Sequence, residues 1–226
     1  MVNYYKMSLS AYDFFLYNKF MKKLSDIIPI FPLSGVIYFP KTNLPLNIFE
    51  QRYLDLVNDA YNNDKLMGMV QSKKENNTVY DVGCLGKITD YQKSKDGRIL
   101  INLTGVSRFK ILKEISSSKL YRKFKVDYQI YSQDVEGKNS SVIDSSRLME
   151  KARTFFNKNG LLLNWREFDK LDQTQKINTL AMISPVTNEE KQKLLEAVSL
   201  KNKVDILENI ISFYLYETGF QNQTIQ

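Results

Sequence analysis

Residues 28–53 constrain the fold of this chain more than any other stretch. The segment reads IPIFPLSGVIYFPKTNLPLNIFEQRY and holds four of the chain's five prolines. Proline interrupts a helix and a fully paired strand alike, because it fixes φ and lacks a backbone N–H. The apolar pieces IIPIF and GVIYF therefore predict two short extended strands, at an edge or a crossover, that are buried mainly through their side chains.

The next part of the chain predicts a β domain that contains one helix. Apolar residues in 47–62 recur with helical spacing, and Asn47 is a candidate N-cap. A strand is expected at 66–72. Asp96-Gly97 is a strong hairpin signal within 80–131, where alternating apolar and polar residues predict antiparallel strands.

A polar stretch rich in Gly and Ser marks a change in character, and the sequence beyond it has helical periodicity. Segment 1–24 is interpreted as an N-terminal extension, either disordered or an over-long gene start, because Met21 begins a plausible alternative opening. The predicted organisation is an extension (1–24), a β domain (25–131), a linker (132–144), a helical bundle (145–219) and a tail (220–226).

Composition excludes several kinds of catalysis. The chain of 226 residues has no histidine and one cysteine, Cys84. A Ser-His-Asp or Cys-His catalytic set cannot be built, and a zinc site would lack its usual ligands. We therefore expect no catalytic residues, no metal and no cofactor. No apolar run is long enough to span a membrane, and no secretory signal is evident, so we expect a cytoplasmic protein without a membrane partner.

The basic net charge leaves two interpretations open. A charge of +7 suits nucleic acid or another acidic surface, but the same charge follows from the Lys-rich composition that AT-rich coding produces. The lysines are dispersed along the chain rather than gathered in one basic arm. Nucleic acid is therefore the less favoured partner.

Three ordered blocks of sequence resemble the N-terminal substrate-binding domain of Lon-type ATP-dependent proteases. The closer resemblance is to stand-alone bacterial proteins that consist of this domain without ATPase or protease domains. The blocks span about residues 27–215 and comprise Pro29, Phe31, Pro32, Leu33, Phe39, Pro40, Pro45, Leu46, Ile48, Phe49, Glu50, Arg52 and Tyr53; Gly83, Ile88, Asp96, Gly97, Arg98, Gly105, Arg108, Phe109 and Ile111; and Glu190 to Glu196.

The resemblance implies an α+β fold. This fold is a PUA-like β pseudobarrel, mostly antiparallel with one helix after the second strand, followed by an all-α C-terminal bundle. It also implies a non-catalytic module that binds unfolded or exposed hydrophobic polypeptide segments, as an adaptor or a holdase, with a protease or chaperone as a further partner. The chain has no G-x-x-x-x-G-K-[ST] loop to cradle nucleotide phosphates. The alternative is an RNA-binding PUA-like protein.

Six apolar residues are the candidate contacts for a bound polypeptide. Proline-interrupted strands leave backbone groups unpaired, so an extended peptide could add as a strand beside them. Core packing is the alternative for the same side chains. The candidates are Tyr38, Phe39, Leu44, Ile48, Phe49 and Trp165. Polar residues of the same blocks receive structural interpretations: Glu50 as a helix cap, Arg52 as a donor to a loop carbonyl, and Arg108 as a link between strands.

Overall fold

The computed structural model describes residues 24–73, 78–136 and 143–221. Residues 1–23 of the predicted extension, 137–142 of the predicted linker and 222–226 of the predicted tail lie outside the described residues. Six strands and seven helices are found in the described part. The strands are β1 (Ile27–Leu33), β2 (Asn43–Ile48), β3 (Leu66–Ser72), β4 (Val79–Lys93), β5 (Ile99–Ile115) and β6 (Arg122–Asp127).

The helices lie mainly after the sheet. They are α1 (Gln51–Asn62), α2 (Gln133–Glu136), α3 (Ser146–Lys158), α4 (Trp165–Phe168), α5 (Gln173–Ile183), α6 (Asn188–Glu196) and α7 (Leu200–Gln221), with a 3₁₀ turn at Gln129–Tyr131. None of these described helices is both long enough and apolar enough to cross a membrane. The predicted class, an α+β fold with a helical C-terminal part, is confirmed.

The six strands form one mixed sheet in the order β2-β5-β4-β3-β1-β6. Strand β1 runs parallel to β3, and the other pairs are antiparallel. The long strand β5 pairs with β2 along its first half and with β6 along its second half, which curls the sheet into a pseudobarrel. The hairpin between β4 and β5 turns at Asp96-Gly97 as predicted, with a φ of 88° at Gly97.

Local signals explain where two of the described helices begin. Asp172 and Gln175 form a reciprocal capping box at the start of α5, and Thr187 and Glu190 form another at the start of α6. Helix α1 buries four of the five residues predicted for its apolar face, Tyr53, Leu56, Val57 and Ala60. The fifth, Phe49, precedes the helix and is 67% exposed, so that part of the prediction is wrong.

One hydrophobic core continues from the sheet into the helices. It joins residues such as Phe39 and Leu103 to residues such as Phe155 and Leu207. A second, smaller cluster lies around Phe109 on the other side of the sheet. The β part and the helical part are therefore packed against each other, although the polar segment between them predicts separate units.

Three other local predictions are wrong. The GVIYF piece, residues 35–39, is not a strand, and the second strand begins at Asn43 instead. Asn47 belongs to β2, so α1 starts later, with Glu50 at its N-cap. Helix α7 continues to Gln221, two residues past the predicted end of the bundle.

Candidate functional site

A cleft of about 550 Å³ opens where the end of β1 meets the start of α1 and the end of β3. Its volume lies in the range of ligand pockets in proteins. The first two of these elements carry the IFPL and EQRY parts of the first sequence block. The described residues that line the cleft are Phe31, Pro32, Leu33, Ser34, Glu50, Arg52, Tyr53, Ser72, Lys73, Thr78 and Arg122.

Aromatic and aliphatic side chains form the floor of the cleft. The rings of Phe31 and Tyr53 meet edge to face, with centroids 4.4 Å apart, and both residues are buried. Pro32 and Leu33 are half-buried beside them. Burial raises the pKa of Tyr53, so its hydroxyl is uncharged at neutral pH. The floor can therefore take up an apolar side chain.

The rim of the cleft carries two arginines that are paired with glutamates. The Arg52 guanidinium lies 4.5 Å from the centroid of the Tyr53 ring and pairs with the Glu50 carboxylate at 2.9 Å. Arg122 pairs with Glu114 at 2.7 Å, and this contact lowers the pKa of Glu114. Lys73 is the third cation in the lining, and its amine lies 5.2 Å from the centroid of the Tyr80 ring. The cleft is therefore framed by two arginine–glutamate pairs and one lysine.

Four of the six predicted contact residues lie in the core, which corrects that part of the prediction. Tyr38, Phe39, Leu44 and Ile48 are between 0% and 8% exposed. The Tyr38 hydroxyl donates to the Cys84 carbonyl at 3.0 Å, which satisfies its polar atom inside the core. None of these four side chains lines the cleft, and each is packed into the main hydrophobic core instead.

The other two candidates are accessible, but only one is next to the cleft in sequence. Phe49 is 67% exposed and directly precedes Glu50, which lines the cleft. Trp165 is half-buried in the helical part, between Phe156 and the guanidinium of Arg153. Phe49 therefore remains a proposed contact for a bound polypeptide. Trp165 instead packs against its neighbours in the helical part, which was the alternative interpretation of this residue.

The polar residues of the three sequence blocks make contacts that differ from those predicted. Glu50 occupies the N-cap of α1, but its side chain makes no capping bond and accepts from Arg52 instead. Arg108 does not tie one strand to another. It pairs with Asp134 and donates to the Leu195 carbonyl, thereby joining the sheet to the helices.

The floor residues Phe31 and Leu33 are missing from the predicted contacts, although the family resemblance includes both. Both residues lie in the IFPL part of the first sequence block, and this position is the sequence signal that could have identified them as cleft residues. In the described part of the chain, no group of three or more Asp, Glu, Cys or His side chains is arranged to hold a metal ion.

The open edge of β1 beside the cleft is blocked by a proline. The first half of β1 pairs with β6 and the second half with β3. The Val126 N–H donates to the Asp26 carbonyl. Because backbone groups alternate in direction along a strand, Ile30 and Pro32 face the same side as Asp26. Hydrogen bonding between β1 and β6 ends at Ile30. The next residue that faces the same side is Pro32, which has no N–H that could donate to an added strand.

The outer edge of β2 is blocked in the same way. The Gly105 N–H donates to the Thr42 carbonyl, so Leu44 and Leu46 face β5 while Pro45 faces outward. Proline on an exposed edge is a common device against edge-to-edge pairing. The geometry of both edges disfavours the predicted strand addition and favours contact through side chains.

The sequence of this chain matches one family model, and the fold agrees with that match. The model describes the substrate-binding domain of ATP-dependent protease La (LON) and covers residues 27–212. The chain belongs to this family. The matched domain is the substrate-binding one rather than an ATPase or protease domain.

Sequence similarity to known Lon proteases agrees with this family assignment. The chain is 25% identical over 211 residues to a Lon protease of Syntrophus aciditrophicus (strain SB), which is 85% of this chain and 26% of that protein. It is 27% identical over 206 residues to a Lon protease of Malacoplasma penetrans (strain HF-2), 83% of this chain and 25% of that protein. The chain thus spans about a quarter of the length of these relatives.

Two solved structures share the fold. The Lon N-terminal domain protein from Xanthomonas campestris superposes with a TM-score of 0.61 at 20% identity, covering 80% of this chain and 96% of that one. The N-terminal domain of a Mycobacterium avium complex Lon protease gives 0.62 at 16% identity, covering 82% of this chain and 98% of that one.

Proposed function

We propose that this chain is a non-catalytic module that binds exposed apolar segments of unfolded polypeptides. The observation that carries the proposal is the cleft between the two halves of the first sequence block, with its aromatic floor and the Arg52–Glu50 pair on its rim. Membership of a substrate-binding family supports it. An adaptor that delivers clients to a protease or chaperone, or a holdase that acts in the cytoplasm, would use such a cleft in the same way.

Binding proceeds through side chains in this proposal. An apolar side chain of the client enters the cleft and packs beside Leu33 on the floor of Phe31 and Tyr53. Phe49 extends the apolar contact outside the cleft. Pro32 excludes a backbone donor from the neighbouring strand edge, so the client does not become a seventh strand.

The structure offers less support for RNA as the ligand. A site for single-stranded RNA combines exposed aromatic rings with cations that are free to contact phosphates. Here two of the three cations in the described lining, Arg52 and Arg122, are paired with Glu50 and Glu114, and the third is Lys73. The Arg52 guanidinium lies over the Tyr53 ring, 4.5 Å from its centroid, and occupies a face on which a base would stack.

The experiment measures binding of a fluorescently labelled, reduced and permanently unfolded model protein by anisotropy. Variants Leu33→Ser and Phe49→Ser remove apolar surface inside and beside the cleft. Leu162→Ser is the matched control, because Leu162 is fully exposed in the helical part and does not line the cleft. We expect both cleft variants to weaken binding about tenfold, on the scale of 1–2 kcal/mol per apolar side chain removed from a contact. Unchanged affinity in both, or equal loss in the control, would contradict the assignment to this cleft.

A further inference from the structure

Lys203, in the first turn of α7, directs its amine into the junction between the sheet and the helices. The residue is only 3% exposed. Its Nζ donates to Asn178 Oδ1 at 2.6 Å and lies 4.7 Å from the centroid of the Phe39 ring. Asn178 Nδ2 donates in turn to the Pro40 carbonyl at 2.9 Å. These contacts link α7, α5 and the turn that precedes β2.

The charges of the ionised groups around Lys203 cancel each other without a contribution from the lysine. Arg108 approaches from β5 and Asp134 from α2, and the thiol of Cys84 faces the site from β4. Both carboxylate oxygens of Asp134 accept from Arg108 at 2.8 Å. Within the described residues, no carboxylate lies within 4.0 Å of the Lys203 amine. An ammonium group here would therefore add an unmatched buried positive charge, which is strongly unfavourable.

The buried amine can avoid this cost by giving up its proton. Burial, followed by the positive charge of Arg108, lowers the pKa of Lys203 to about 7, while Asp134 and Cys84 act in the opposite direction. A lysine in an unfolded or opened chain has a pKa of about 10.4. The neutral amine can still donate a hydrogen bond to Asn178, so the junction keeps its contacts in that form.

We propose that Lys203 is a pH-responsive latch, which holds the sheet and the helices together as a neutral amine and weakens their attachment when it binds a proton. This regulation is independent of what the cleft binds. Between about pH 7 and pH 10, an opened state carries one proton more than the closed state. The equilibrium constant for opening should therefore fall about tenfold per pH unit as the pH rises through this window. Below about pH 7 both states carry the proton, and the dependence disappears.

The test is the pH dependence of urea unfolding for the intact chain and two variants. Lys203→Met keeps a side chain of similar length without a titrating group. Lys201→Met is the matched control, because Lys201 is exposed on the same helix and pairs with Asp205. Relative to Lys203→Met, the unfolding constant of the wild type should fall about tenfold per unit between pH 8 and 9, and Lys201→Met should follow the wild type. Identical pH dependence in the wild type and Lys203→Met would overturn the proposal.

A second measurement keeps the proposal testable if Lys203→Met fails to fold. The wild-type chain with ¹³C-labelled lysine side chains is titrated by NMR, and each Cε shift reports the protonation of its own amine. The Lys203 resonance, assigned by its absence from Lys203→Met or from a Lys203→Arg variant, should titrate near pH 7. Titration of this resonance above pH 9 in the folded chain would overturn the latch.

Discussion

Arg108 and Asp134 join the sheet to the helical part through a nearly buried ion pair. Their side chains are 4% and 11% exposed, and Arg108 Nε lies 2.8 Å from Asp134 Oδ2. The same guanidinium also donates to the carbonyls of Leu195 and Ala197 at the end of α6. One side chain thus satisfies acceptors from two separate helices.

Arg108→Met should destabilise the chain by about 3–5 kcal/mol, because it leaves a buried carboxylate without its cationic partner and two carbonyls without their side-chain donor. Lys170→Met is the control, since Lys170 and Glu167 form a pair whose side chains are 62% and 58% exposed. The control should change stability by less than about 1 kcal/mol. Urea unfolding measures both, and similar losses in the two variants would contradict the role assigned to Arg108.

Cleavage in the segment that joins the two parts should not separate them. Polar, Gly- and Ser-containing sequence predicts that limited proteolysis cuts first within 132–144. The continuous core and contacts such as Gln192 to the Val82 carbonyl should then hold the fragments together. We expect two bands in a denaturing gel and one peak in size-exclusion chromatography. Two separated peaks would show that the junction is weaker than its packing implies.

The single cysteine should be inert in the folded chain. Cys84 is fully buried, and burial raises the pKa of its thiol, so almost no thiolate forms near neutral pH. Its reaction with a chromogenic disulfide reagent should be about 100-fold slower, or more, than in urea. Comparable rates in the two conditions would mean that the sheet opens readily around β4.

The sequence correctly predicts structural elements that are determined by residues close together in the chain. The Asp96-Gly97 hairpin is specified within four residues and is found as expected. The Thr187–Glu190 capping box is specified over an equally short stretch. The GVIYF piece has strong β propensity, yet it is not a strand. Strand formation depends on a partner, and β5 pairs with residues 43–48 instead.

The candidate site was harder to predict for a related reason. Phe39 and Phe49 are both aromatic residues in the same apolar segment, but the first is 0% exposed and the second 67%. Which ring faces the solvent depends on where the helices pack, and this cannot be read from periodicity in a segment interrupted by proline. Arg108 shows the same difficulty, because its acceptors Leu195 and Ala197 are almost 90 residues away in sequence.

The measurement that tests the central proposal most directly is the salt dependence of ligand binding. The intact chain is titrated with the unfolded model protein and with a mixed-sequence RNA at about 50 mM and about 200 mM salt, a range over which counterion release is readily measured. Apolar burial is not screened by salt, so affinity for the polypeptide should be retained at the higher concentration. RNA binding through about six phosphates should lose two to three decades of affinity over the same range, at a slope of about 0.7 per contact. Salt-tolerant binding to the polypeptide, with RNA binding that is weak and lost at higher salt, is the predicted result. Tight RNA binding that persists at higher salt, with no binding of the unfolded protein, would contradict the proposed function.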